Sequence, residues 1–244
     1  MSSISTNTAI PRSPFDRLPV MPGPFVIDNA HSDTSIIDAL YQWFLSTPNT
    51  GNFGGFLAQD LSIEHQRVLN WTGGNKNFNE PQLLDWARVL VSMVKDTDGA
   101  REIKAADSRS ILGYEFWGNV ASSLGKTGYH IDRDENMDWE RCILERLFPV
   151  VSTVTYIGPS KSLCGGELLI DMGDDAVSFH VKAMRSGMPE KEIIAARDSW
   201  VRIPYRYNRV AVFPGDRPHL VTELKDEGAL RCSVGIGLWH RIIQ

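Results

Sequence analysis

Apolar residues change their spacing along this chain at about residue 111. Before that point they recur at helical intervals. Ile36, Ile37, Leu40, Trp43 and Phe44 fall on one face of a helix expected from Asp33 to Leu45, because residues three and four apart stack on the same side. Leu83, Leu84, Trp86, Ala87, Leu90, Val91 and Val94 mark a second helix from Glu80 to Asp96. A short strand, Phe25-Val26-Ile27, precedes the first helix, and a polar, Gly-rich stretch from Asn49 to Asn79 separates the two. After residue 111 the runs shorten and are punctuated by Gly, Pro, Asp or Asn: ILGYEFWGNV, GYHID, PVVSTVTYIG, GGELLID, WVRIPY, NRVAVFPG and RCSVGIGLW. Many short runs rich in Val, Ile, Tyr and Trp predict a β-sandwich or barrel. A helical interruption from Pro189 to Asp198 lies within an inserted segment of residues 171–200. The expected architecture is mainly β with flanking α-helices, in one domain over residues 25–244 with its β-core at about 111–240. Five prolines in residues 1–24 predict a Pro/Ser-rich arm ahead of it.

Composition narrows the classes. The chain has 244 residues, 42% of them apolar, which suits one large domain. Its formal charge of −5, from 25 basic and 30 acidic residues, offers no general attraction to phosphate backbones or anionic lipid. Neither nucleic acid nor a membrane is the expected partner. No run approaches the ~20 apolar residues of a membrane span. Cys142, Cys164 and Cys232 form no C-x-x-C pair, and an odd, sparse set suits a reducing, cytoplasmic setting. Oligomeric state is not legible.

Candidate chemistry starts at His130-Ile131-Asp132. Residues i and i+2 of an extended segment point the same way, so an imidazole and a carboxylate share a side. Two histidines and one carboxylate on one face of Fe(II) leave the opposite face open for a co-substrate and oxygen. His219, after the strand NRVAVFPGD, is the candidate third ligand. Taken alone, the triplet also fits a solvated turn, since Arg133, Asp134 and Glu135 follow it, and His219 also fits an ordinary surface position. Twelve residues past His219 comes Arg231-Cys232-Ser233. A guanidinium grips a carboxylate with two parallel hydrogen bonds, and Ser233, on the same strand face, can add a third. The alternative for Arg231 is an internal acidic partner at the strand mouth.

In chain order, GKTGYHID, STVTYIG, GGELLI, YNRVAVFPGDRPHLV and RCSVGIGLW resemble the Fe(II)- and 2-oxoglutarate-dependent dioxygenases, in particular the prolyl-hydroxylase-like branch. The resemblance implies a double-stranded β-helix, the cupin-like jelly-roll. It makes His130, Asp132 and His219 the catalytic iron ligands. Arg231, Ser233 and Tyr156 become the residues that bind 2-oxoglutarate, with Fe(II), 2-oxoglutarate and O2 as cofactor and co-substrates. Trp117 and Asn119 are further pocket candidates by position. Asp132 stands where related halogenases have a small residue, which favours oxygen insertion. Gly237 stands where the nucleic-acid demethylases carry a second arginine. The implied activity is hydroxylation of an unactivated C–H bond of a small molecule, an amino acid or a secondary metabolite, releasing succinate and CO2. The alternatives are a peptidyl hydroxylase, a non-catalytic jelly-roll that binds metal or ligand, and a zinc hydrolase with Asp134 or Glu135 as base. The insertion is either a lid over the substrate or a packed helix. Gly165 and Gly166 are expected to serve a turn.

Overall fold

Two antiparallel sheets face one another, with helices on both outer surfaces. The structure, a computed structural model, describes residues 21–46, 52–58, 81–121, 127–134, 137–241 and 243. The larger sheet contains β1 (Phe25–Asp28), β2 (Asn52–Ala58), β3 (Gly113–Ala121), β4 (Val151–Gly158), β7 (Arg209–Pro214) and β9 (Arg231–Trp239). Its order is β1-β7-β4-β9-β3-β2. The smaller contains β5 (Leu168–Asp171), β6 (Trp200–Ile203) and β8 (His219–Val221), in the order β6-β5-β8. This is the expected jelly-roll core.

Alternation along β9 divides the interior into two cores. Cys232, Val234, Ile236 and Leu238 face outward, under Ile37, Leu40 and Phe44 of α1 (Ser35–Ser46) and Leu90 and Val94 of α2 (Pro81–Val94). Met21, in the stretch expected as an arm, is buried in this same core; residues 1–20 lie outside the described residues. Arg231, Ser233 and Gly235 therefore face the smaller sheet. Between the sheets, Tyr156, Leu168, Ile170, Tyr205, Phe213 and Val221 pack together. At Gly235 a Cβ would sit 2.2 Å from the Trp117 ring, so only glycine lets that indole lie across β9.

Several elements differ from the sequence expectation. β2 runs through the stretch expected to be irregular. Among the described residues it pairs with β3, so backbone bonds hold it, and its Gly54-Gly55 pair carries no alternating signal. The rest of that stretch, residues 59–79, lies outside the described residues. GYHID is not a regular strand: only His130 bridges, to His219, before the chain turns away. α3 (Asp98–Ala106), capped by the Thr97 hydroxyl on the Ala100 amide, and α4 (Trp139–Leu144), capped by Asp138, were not expected. Each is short and buries few large residues, too few to establish a period. The single helix expected in the insertion is two, α5 (Ala176–Ser186) and α6 (Glu190–Ala195). Gly187, at φ 62°, ends α5, and Pro189 starts α6, the usual punctuation at such ends.

Candidate metal and co-substrate site

His130, Asp132 and His219 converge at one end of the space between the sheets. One potential ligand atom from each lies within 4.8 Å of the others. Asp132 Oδ1 is 3.4 Å from His130 Nε2 and 3.5 Å from His219 Nε2. One carboxylate oxygen thus lies close to both imidazoles, an arrangement in which the three side chains could share one cation. Reciprocal backbone bonds between His130 and His219, 3.0 and 2.8 Å, fix the two rings side by side.

Neighbouring groups orient each side chain. His130 Nδ1 lies 2.7 Å from the Gly128 carbonyl, and His219 Nδ1 lies 2.9 Å from the Arg217 carbonyl. A carbonyl only accepts, so each Nδ1 carries a proton and each Nε2 is the nitrogen that faces Asp132. Ser152 on β4 donates to Asp132 Oδ2 at 2.6 Å, leaving Oδ1 for the histidines. Burial would push the Asp132 carboxyl up, but His219 and His130 outweigh it and hold the group far below the usual carboxylate range. Asp132 is thus ionised. The Ser152 contact was missed in the sequence, although Ser152 and Tyr156 fall on the same face of β4.

Arg231 is 1% exposed, and none of its three side-chain nitrogens has a hydrogen-bond partner. Its guanidinium lies over the Tyr156 ring, 4.9 Å from the centroid, and the buried Tyr156 hydroxyl is also unpartnered. Among the described residues no internal acid pairs with Arg231, unlike the alternative left open by the sequence. Buried charges are nearly always paired, so this cation and this hydroxyl mark a place for an anion. Ser233 stands opposite Tyr156 on β4 and Asn119 on β3, on the face that Arg231 shares. Phe213 links the groups, packing with Tyr156 in the inter-sheet core and lying 5.0 Å from the His219 ring. Gly166, at φ 65°, turns beneath the arginine, where a Cβ would come 3.0 Å from Arg231 Cδ.

No family model matches this chain, and no curated protein matches its sequence. Solved structures do. A prolyl-4-hydroxylase from Pseudomonas putida is 12% identical with a TM-score of 0.50, covering 90% of this chain and 94% of that one. HygX from Streptomyces hygroscopicus is 13% identical, covering 88% of this chain and 82% of its own. Its TM-score is 0.53 for the apo form and 0.52 for the iron-bound form. This chain has the fold of a prolyl-4-hydroxylase. The prolyl-4-hydroxylase-like fold places the two histidines and the aspartate at the mouth between its sheets and Arg231 deeper within.

The remaining candidates separate from this site. Asp134 is buried 3.6 Å from Arg241, a cation that draws it away from the role of base in a zinc hydrolase; Glu135 lies outside the described residues. His240 sits 3.1 Å from Arg109, and His31 is buried in the backbone turn held by Asn208. His180, unassigned from sequence, lines a cavity of about 470 Å3 together with His130. Among the described residues, no helix is long and apolar enough to cross a membrane.

Proposed function

We propose that this protein is an Fe(II)- and 2-oxoglutarate-dependent oxygenase that hydroxylates an unactivated C–H bond of a small molecule. The observation that carries the reading is the buried, unpartnered guanidinium of Arg231, in the same inter-sheet space as a two-histidine, one-carboxylate cluster. That ligand set suits a six-coordinate ferrous ion with open positions on one side. His130, Asp132 and His219 would hold the metal. Arg231, the Tyr156 hydroxyl and Ser233 would hold the distal carboxylate of 2-oxoglutarate. Bound iron, with 2-oxoglutarate and oxygen, supplies the oxidising power to place a hydroxyl on carbon, the co-substrate leaving as succinate and CO2.

The chain's own residues perform the orienting work. Gly128 and Arg217 carbonyls keep both imidazoles in the metal-binding tautomer, and Ser152 aims one oxygen of Asp132 at the site. Phe213, Leu168 and Ile170 keep the inter-sheet space dry, which strengthens the grip of Arg231 on an anion. A protein substrate is the second reading, favoured by the prolyl-4-hydroxylase fold of the P. putida enzyme.

Succinate release from 2-oxoglutarate by iron-loaded protein tests the reading. Slow turnover without added substrate is expected, abolished in both His130→Ala and Arg231→Ala. Tight metal binding with no succinate formed would instead support a non-catalytic binding protein.

A further inference from the structure

The cavity beside His130 is walled by the segment Thr127–Arg133, by α4 and by α5. Its volume of about 470 Å3 lies in the range of small-molecule sites, roughly 300–1,000 Å3. Ile131, Trp139, Ile143, Phe148 and Met184 make the wall largely apolar. Thr127, His130, Arg133 and His180 are its polar members. Nδ1 of His180 is buried without a hydrogen-bond partner, in a residue 5% exposed. Buried polar atoms in folded proteins are bonded in the great majority of cases. A space of this size with such an atom in a lining residue is suited to receive a ligand.

The wall is also fixed in place. Arg185 of α5 reaches Glu140 of α4 at 3.2 Å, tying together the two helices that line the cavity. The His180 ring meets the Tyr129 ring edge-on at 4.9 Å. Burial of His180, 5% exposed, disfavours a charged imidazole. A neutral imidazole offers one donor and one acceptor, which suits a neutral amide or hydroxyl. The cation of the lining, Arg133, donates to the Met137 carbonyl at 3.3 Å.

We propose that this cavity takes the apolar body of a small, uncharged substrate and that His180 hydrogen-bonds its polar group. Accepting the oxygenase reading, the substrate then lies against the His130 imidazole, and α5 sets specificity.

Three compounds sharing one framework test this: 4-phenylbutanamide, 4-phenylbutanoate and n-butylbenzene. Each is titrated into the full-length protein labelled with 5-fluorotryptophan, with Zn(II) and 2-oxoglutarate present. Fluorine NMR follows the Trp139 resonance, assigned with Trp139→Phe. The amide is expected to shift that resonance and to bind more tightly than the acid. Gly128→Phe should abolish the shift. Gly128 lines the cavity, and a Cβ there meets nothing within 4 Å with the backbone outside the left-handed region, so an added ring has room beside the cavity without straining the fold. His180→Leu should weaken the amide about tenfold, the usual worth of one buried hydrogen bond, and leave n-butylbenzene unchanged. The proposal is overturned by no shift from any compound, by tighter binding of the acid, or by insensitivity to either substitution. Binding of 2-oxoglutarate in the same samples reports separately on Arg231, so loss of the oxygenase reading is distinguishable from loss of this one.

Discussion

Arg231 is a cation held in a dry interior with no hydrogen-bond partner among the described residues. Such a group costs stability until its anion arrives. Arg231→Met is therefore expected to leave the ligand-free protein at least as stable as the parent. The two should part on adding 2-oxoglutarate. At a hundred times its dissociation constant the parent should gain about 2.7 kcal/mol and the variant nothing, read as a rise in melting temperature confined to the parent. Ser152 makes the complementary case. Ser152→Ala removes the bond to Asp132 Oδ2, and metal affinity, measured by competition with a chelator, should fall ~10–100-fold while the fold is kept. An unchanged affinity would mean that Asp132 needs no such support. Both residues lay on strands whose period was readable, but only Arg231 carried a recognisable pattern; a serine in STVTY has no signature until its partner is seen.

At the scale of elements, the insertion between β5 and β6 is a fixed wall. Leu169 and Leu220 of the smaller sheet pack with Ala183 of α5 and Ile193 of α6. Asp171, fully buried, accepts from Arg197 at 2.8 and 3.1 Å, from Ser199 and from the Gly173 amide. Arg197→Ala would strand that carboxylate, and breaking a buried pair costs about 3–5 kcal/mol; urea denaturation measures it. Deletion of residues 176–198 should abolish folding rather than merely uncouple turnover, the outcome that separates a packed element from a lid. His180 on α5 adds a pH signature. Its ordinary pKa of 6.5 falls to about 3 in the fold, so the unfolded chain binds the extra proton between those values. Stability from this group is complete above pH 6.5 and is lost on acidification, by about 1.4 kcal/mol per pH unit. Denaturation of metal-free protein at pH 7.0, 5.5 and 4.5 should show a steeper loss in the parent than in His180→Leu. Parallel slopes would contradict a buried neutral imidazole. The insertion was visible in the sequence as an over-long gap. Its division into α5 and α6 at Gly187 was not read, nor was its packing, because α5 presents a small residue, Ala183, to the sheet.

Across the whole molecule, two sheets divide labour. The larger buries its outer face under α1, α2 and α3 and presents Arg231, Ser233 and Tyr156 inward. The smaller supplies His219 and, through a single bridge, positions His130. The jelly-roll was legible because β3, β4, β7 and β9 are long enough to show alternation or continuous burial. β2 was hidden by its paired glycines, and α3 and α4 by their shortness. The grouping of His130, Asp132 and His219 could be anticipated because order and spacing survive in the sequence even where regular structure does not: His130-Ile131-Asp132 brings its imidazole and carboxylate together without belonging to a strand. The cavity beside His130 was invisible, since its walls come from segments some fifty residues apart.

Anaerobic titration of Fe(II) and 2-oxoglutarate into the full chain, followed by visible absorption, is the most direct measurement. A weak charge-transfer band saturating at one equivalent of each is expected, lost in His130→Ala through the metal and shifted to much higher 2-oxoglutarate concentration in Arg231→Ala. A band that persists unchanged in both variants, or none in the parent despite bound iron, would contradict a ferrous site at His130, Asp132 and His219 served by Arg231.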